Sequence, residues 1–225
     1  MAALDWTAHV DFLAQLGESD RAVFVERGQR VSFPAGVVTE YPIDPPVADV
    51  LQGGVLRAFQ VSDQGRGSTI AYVSAGTFVG TLPALGPRPT VFLQPLVDSI
   101  VLRLDGARFR ALYESSGDFT RALAVHAGTI LARVVRTLTV RTLGGVKERI
   151  AFDLLERASA EQLVSGDIVV SVTHEELADS VGSVREVVSR ALADLRDAGM
   201  VSTLRGRIHI DDPARLIAIV QGLVD

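Results

Sequence analysis

The spacing of apolar residues changes twice along the chain, and each change marks a change of element. Near the N-terminus Phe12, Leu13 and Leu16 recur at helical intervals, Ala22, Val23 and Val25 do so less regularly, and Gly28 closes the segment. From 31 to 104 the apolar runs shorten to strand length, at 31–33, 37–39, 50–51, 55–59, 69–73, 91–93 and 99–104, with glycine and proline between them. Short runs separated by turn residues predict an antiparallel sandwich or barrel. Beyond Asp105 the punctuation stops. Phe119, Leu123, Ala127, Ile130, Leu131, Val134 and Leu138 then fall on one helical stripe without a proline. A helix this long needs a cover for its apolar seam, and a second copy of itself is the simplest one, so a homodimer is expected with Phe119, Leu123, Ala127, Leu131, Val134 and Leu138 at its interface. Gly144-Gly145 interrupts the helix, each glycine costing roughly 1 kcal/mol relative to alanine. An amphipathic helix with Ile150, Leu154 and Leu155 follows, then a strand-like run at 168–172, two more helical segments and a hairpin.

The end of the chain carries the most specific pattern. Thr173-His174-Glu175-Glu176 and Ser183-Val184-Arg185-Glu186 both read as capping boxes, a hydroxyl at the N-cap and a glutamate three residues on, so two helices are expected to start ten residues apart. Ala178, Gly182 and Val188 have the spacing of a helix-turn-helix. Alanine permits the close crossing, glycine adopts the turn, and the β-branched residue fills the angle between the helices. Gly199 caps the second helix, and the segments on either side of Arg205-Gly206 form a two-stranded wing. On the second helix Arg185, Glu186, Ser189 and Arg190 share the outward face, one turn apart. Arginine can bond guanine O6 and N7 together, and glutamate can accept from cytosine N4. Glu186 and Arg190 also fit an ordinary surface ion pair; the helix-turn-helix spacing decides for DNA. The DNA-contacting set is then Thr173, Ser183, Arg185, Glu186, Ser189, Arg190, Arg205 and Arg207.

Composition adds limits. The 225 residues are 48% hydrophobic and 22% charged, which suits one large or two modest globular domains. The absence of cysteine removes disulfides, thiolate metal sites and a cysteine nucleophile. No apolar run is expected to approach the roughly 18 residues that cross a bilayer, and the N-terminal residues lack a signal-peptide pattern, so a cytoplasmic protein without membrane contact is expected. A net charge of −5 means that any basic surface is local. Such a surface exists between 183 and 207, where Arg185, Arg190, Arg196, Arg205 and Arg207 face Glu186, Asp194 and Asp197.

The stretch "THEELADSVGSVREVVSRALADLRDAGMV" with "RGRIHI" closely resembles the cyclic-AMP receptor and fumarate–nitrate regulator family of bacterial transcription factors. Phe33-Pro34-Ala35-Gly36, Gly53-Gly54-Val55-Leu56-Arg57 and Gly76-Thr77-Phe78-Val79-Gly80 look like that family's effector barrel, and "VKERIAFDLLERA" like its hinge-to-DNA-domain helix. The resemblance implies an α+β chain in three parts: a β-roll sensor of the cyclic-nucleotide-binding type over 1–115, a dimerisation helix over 116–143, and a winged helix-turn-helix over 144–225. It implies a double-stranded operator as partner, and RNA polymerase if the protein activates.

The chain departs from the family where cyclic AMP would bind. Thr81 stands where the ribose-holding glutamate would, "GPRPTV" replaces the arginine segment with Arg88 between two prolines, and Val134-Val135 aligns with the hydroxyl pair that touches adenine. Proline removes the N–H groups a phosphate cradle uses. No cyclic nucleotide is therefore expected. Phe78, Thr81, Leu82, Arg88, Thr90, Ile130, Val134 and Val135 either line an apolar effector cavity or pack shut. A haem is the less favoured alternative, suggested by His126 on the long helix; an ordinary polar position is the plainer reading. His9, His174 and His209 have no ligand spacing, and no metal site is expected. No nucleophile elbow, phosphate loop or zinc-protease pair is present. Asp211-Asp212 before Pro213 reads as a helix start, and no enzyme is expected. The competing function is a small-molecule-binding dimer that does not touch DNA.

Overall fold

The structure, a computed structural model, describes residues 11–41, 47–62, 67–80, 90–165, 168–204 and 206–224. The described residues divide into two compact units, one within 8–58 and 73–132, the other within 59–72 and 133–225. The division cuts the long helix and assigns the tip of one hairpin to the C-terminal unit. The three-part division drawn from sequence has neither feature.

Before the long helix a 3-10 turn, Leu13–Gln15, and helix α1, Glu18–Arg27, precede eight strands, β1 Gln29–Phe33, β2 Thr39–Tyr41, β3 Val47–Gly53, β4 Val55–Val61, β5 Gly67–Ser74, β6 Phe78–Gly80, β7 Val91–Pro95 and β8 Ser99–Asp105, of which the end of β4 and most of β5 fall in the C-terminal unit. They form two four-stranded sheets, ordered β1-β8-β3-β6 and β2-β7-β4-β5. The β1–β8, β3–β8, β3–β6 and β2–β7 pairs are antiparallel, as expected for a β-roll. Phe33, Leu51 and Val101 from one sheet and Tyr41, Leu56 and Leu93 from the other fill the space between them. A bulge between Leu51 and Gly53 bends β3, and Gly54 turns the chain into β4 at φ +97°. A Cβ at Gly54 would stand 2.1 Å from Ser99 Oγ, so only glycine fits.

An ion pair is set into this core. Arg103 donates to Asp49 through Nε and Nη2, at 2.8 and 2.7 Å, and the Tyr41 hydroxyl donates to the same carboxylate. Asp49 is fully buried, so these donors replace its lost water. Burial, then the neighbouring Asp49 charge, hold the Tyr41 phenol far above its ordinary value of 10.0.

Helices α2, Gly106–Ser115, and α3, Gly117–Leu143, follow; the Asp105 carboxylate caps α2 by accepting from the Arg108 N–H at 3.0 Å. α3 ends at Gly144-Gly145, as the glycine pair predicts. One expectation needs correction: an 18-residue window of α3 has a mean hydropathy of 1.3 with few charges, so among the described residues one helix is long and apolar enough to cross a bilayer. His126, Gly128, threonines and arginines interrupt the apolar residues, which is why no uninterrupted run announces it.

The second unit contains α4, Val146–Ser165, β9, Val169–Ser171, α5, His174–Val181, α6, Arg185–Asp197, β10, Val201–Leu204, β11, Arg207–Ile210, and α7, Pro213–Val224. Its core gathers Ile150, Leu154 and Leu155 from α4, Leu177 from α5, Val188, Leu192 and Leu195 from α6, and Leu216 and Val220 from α7. α7 begins as Asp211-Asp212-Pro213 predicts, with Asp212 Oδ1 accepting from the Arg215 N–H at 3.1 Å.

Candidate nucleic-acid interface

The first capping box forms as expected. Glu176 N–H donates to Thr173 Oγ1 at 3.2 Å, and Thr173 N–H donates to Glu176 Oε2 at 2.8 Å. α5 then ends at Gly182, left-handed at φ 64° and ψ 47°, a conformation that glycine adopts without strain. Ser183 N–H closes this turn on Ala178 O at 2.9 Å. Ser183 is thereby committed to ending α5, and the second capping box does not form. The N-cap of α6 is Val184, extended at φ −110° and without a side-chain cap, so the helices start eleven positions apart, at His174 and Arg185.

α6 presents the expected face. Val188, Ala191, Leu192 and Leu195 are buried, while Arg185, Glu186 and Arg190 are exposed and Ser189 is half-buried. Beside it β10 and β11 pair antiparallel with Leu204 opposite Arg207, and Gly206 turns between them at φ 79°. β9 adds a third strand to this wing through β11. Arg205 lies outside the described residues. A groove of about 410 Å³ runs between the helix starts and the wing, lined by Thr173, His174, Glu175, Arg185, Thr203, Gly206 and Arg207. Thr173, Arg185 and Arg207 are thus brought together, whereas Ser183, Glu186, Ser189 and Arg190 lie outside that lining.

Two residues at this surface were not singled out from sequence. His174 Nδ1 lies 2.9 Å from Ser189 Oγ on the neighbouring helix. Val184 is 58% exposed at the start of α6, an apolar group suited to a thymine methyl. The signal for Val184 was its place between two polar cap positions. No local signal pairs His174 with Ser189.

The effector-pocket residues fare differently. Thr81, Leu82 and Arg88 lie outside the described residues. Phe78 is buried among Phe12, Phe109 and His126, with ring centroids 5.1, 5.8 and 5.8 Å away. Thr90, Val134 and Val135 are exposed, and Ile130 is half-buried. His126 is no solvent-facing polar position: it is buried, edge-on to Phe12, with Nε2 3.0 Å from the Phe78 carbonyl. Its ring nitrogen is engaged with the backbone, which gives the residue a packing role.

Of the seam residues, Phe119 and Leu123 are 0% and 1% exposed and belong to the core formed with Phe12, Phe24 and Phe109. They are spent inside the chain and unavailable to a partner, and Ala127 is half-buried. Exposed instead are Ala124, Gly128, Leu131, Val135 and Leu138, spaced alternately by four and three, with Leu131, Val135 and Leu138 at 64%, 54% and 63% exposure. That is a heptad seam, turned slightly from the stripe read in the sequence. Val134 sits at its edge.

Residues 148–219 match the family model described as a Crp-like helix-turn-helix domain. The transcriptional regulator SdrP of Thermus thermophilus is 30% identical over 191 residues, spanning 82% of this chain and 90% of the relative. The nitrogen fixation regulation protein FixK of Bradyrhizobium diazoefficiens is 25% identical, spanning 92% of this chain and 88% of its own length. Among solved structures, a transcriptional regulator of the CRP/FNR family from Thermus thermophilus superposes with a TM-score of 0.72 at 27% identity, over 87% of this chain and all of that one. SdrP and the superposed structure are both named as transcriptional regulators, and FixK as a regulation protein. With the α+β architecture and the winged helix-turn-helix in place, the chain belongs to the CRP/FNR family of bacterial transcriptional regulators.

Proposed function

We propose that the chain is a homodimer that binds a palindromic operator through α6 and the wing, with a sensor whose effector is not a cyclic nucleotide. The observation that carries the reading is the exposed Arg185, Glu186 and Arg190 on a helix whose opposite face is buried, beside a groove shared by Arg185 and Arg207. A helix so mounted can enter a major groove while the wing meets the adjacent backbone. The heptad seam of α3 supports pairing, because exposed Leu131, Val135 and Leu138 gain most by facing their own copies. Two recognition helices about 34 Å apart would read a two-fold site. Thr81 in place of an acid, and valines in place of hydroxyls at 134 and 135, support an effector other than a cyclic nucleotide.

Selection from a random duplex pool tests the reading. A two-fold palindrome should be enriched, with affinity falling linearly in the logarithm of salt concentration. Binding that enriches no sequence, or no binding at any salt, overturns it and leaves a dimer that binds small molecules alone.

A further inference from the structure

We propose that His174 is a specificity-determining positioning residue: it fixes the hydrogen-bond polarity of Ser189 and so decides which base Ser189 can read. The inference rests on the reading of α6 as the recognition helix. Ser189 stands four residues after Arg185, three after Glu186 and beside Arg190, on the face offered to base edges. A serine hydroxyl is ordinarily a weak discriminator, because it can rotate to donate or to accept. Here that freedom is removed. His174, the first residue of α5, places Nδ1 2.9 Å from Ser189 Oγ.

The two helices are held in this register from below by the core that Leu177 and Val188 share. The contact therefore does not depend on two mobile surface side chains meeting by chance. A neutral imidazole carries one donor and one acceptor nitrogen. When Nδ1 is the acceptor, the Ser189 proton points at the histidine and only its lone pairs face the groove. They match the amino groups of adenine and cytosine. When Nδ1 carries the proton, only one of the two lone pairs is taken, and the hydroxyl keeps a donor and an acceptor for the groove, so polarity is fixed by the tautomer in which Nδ1 accepts. With Nδ1 accepting, the amino groups of adenine and cytosine are served and the oxygens of guanine and thymine are refused, since an acceptor buried against an acceptor loses its bond without recovering water. His174 also lines the groove beside Arg185 and Arg207, so its ring lies where a duplex backbone would cover it.

Base preferences measured by selection from a random duplex pool, for the full chain and its variants, test the proposal. His174→Ala should flatten preference at a single half-site position by about three- to tenfold, the worth of one net hydrogen bond, and leave the positions read by Arg185 and Arg190 unchanged. Ser189→Ala should flatten that same position, and the double variant should flatten it no further. His174→Asn, which returns a polar atom near the place of Nδ1, should restore a preference there. An even loss of affinity across all sequences in His174→Ala would make His174 a backbone contact and overturn the proposal, as would a change confined to some position that Ser189→Ala does not affect. If the unaltered chain enriches no sequence, the DNA-reading proposal falls and takes this one with it. An unaltered chain that enriches an operator which His174→Ala reads identically overturns this one alone.

Discussion

The Tyr72 hydroxyl on β5 donates to Asp153 Oδ1 on α4 at 2.9 Å, across 81 positions of sequence. The contact is part of a buried polar knot inside the C-terminal unit. Asp153 also accepts from Arg157 Nε at 3.0 Å and from the Ser180 hydroxyl, and the Arg157 guanidinium lies 4.7 Å from the centre of the Tyr72 ring. Arg141 donates to the Ser180 carbonyl at 2.8 Å and Arg149 to the Val181 carbonyl at 3.0 Å. Both cations thus sit at the C-terminal end of α5, where the helix dipole favours positive charge. Together these bonds hold the first helix of the helix-turn-helix to the hairpin tip and to the end of α3.

Removing one member of this knot should be expensive. Asp153→Ala takes away the carboxylate that neutralises buried Arg157, and loss of one partner of a buried pair typically costs about 3–5 kcal/mol. Tyr72→Phe keeps the ring under the guanidinium and loses the hydroxyl's contacts with Asp153 and Ser180, about 1–2 kcal/mol. Denaturant unfolding of both variants should rank them in that order. Equal and small losses would show the knot to be relaxed in solution.

The dimer seam is tested by charges on its exposed positions. Leu131→Lys with Leu138→Lys should yield folded monomers by sedimentation, because each side chain is already more than 60% exposed in the single chain. Phe119→Lys should instead unfold the first unit, since it buries a charge in an apolar core. A double-lysine variant that still sediments as a dimer refutes the α3 seam.

What the sequence made legible was local. The Gly144-Gly145 break, the Thr173–Glu176 cap and the start at Pro213 each depend on neighbours within four residues. The Ser183 box was not legible, because its serine was already engaged by the end of the previous helix through Ala178. Periodicity located the apolar residues of α3 but could not say which turns the chain itself would cover. Phe12 and Phe24, which cover Phe119, come from a separate helical segment near the N-terminus. Tyr72 with Asp153 and His174 with Ser189 are meetings of distant segments, set by packing and carrying no spacing of their own.

The buried Tyr41 gives the first unit a pH dependence of known sign. Its folded-state affinity for the proton is raised, by burial first and then by Asp49. The stabilisation it contributes is fully present below the unfolded value near 10 and is lost as pH rises above it. Unfolding free energy should therefore fall between about pH 10 and 11, and Tyr41→Phe should fall less steeply over the same range. Parallel curves for the two proteins would place the linkage elsewhere.

Cyclic nucleotides should leave the protein unmoved. A ligand selective for the folded state and present at 100 times its dissociation constant stabilises by about 2.7 kcal/mol, which a thermal melt detects readily. Millimolar cyclic AMP or cyclic GMP should shift neither the melting temperature nor the operator affinity. A clear shift with either would mean that Thr81 and Val134-Val135 do not have the consequence assigned to them.

Arg190 and Arg207 should fail in different ways when truncated. Arg190 is exposed on α6, one turn beyond Glu186, and nothing but an arginine fork on that helix can bond a guanine edge twice: the chain has no asparagine, and α6 has no glutamine for the matching contact to adenine. The half-site should accordingly be rich in guanine contacts, and Arg190→Ala should relax preference at one guanine by about 1–3 kcal/mol. Arg207 stands at the first position of β11 and lines the groove from the wing side, where a duplex offers phosphates. Arg207→Ala should weaken every sequence about equally and lower the salt slope by about one. The two are separated by measuring affinity for the selected operator and its single-base variants at several salt concentrations. If Arg190→Ala lowers affinity uniformly and changes no base preference, Arg190 holds a phosphate, and the assignment of guanine reading to this helix face is wrong.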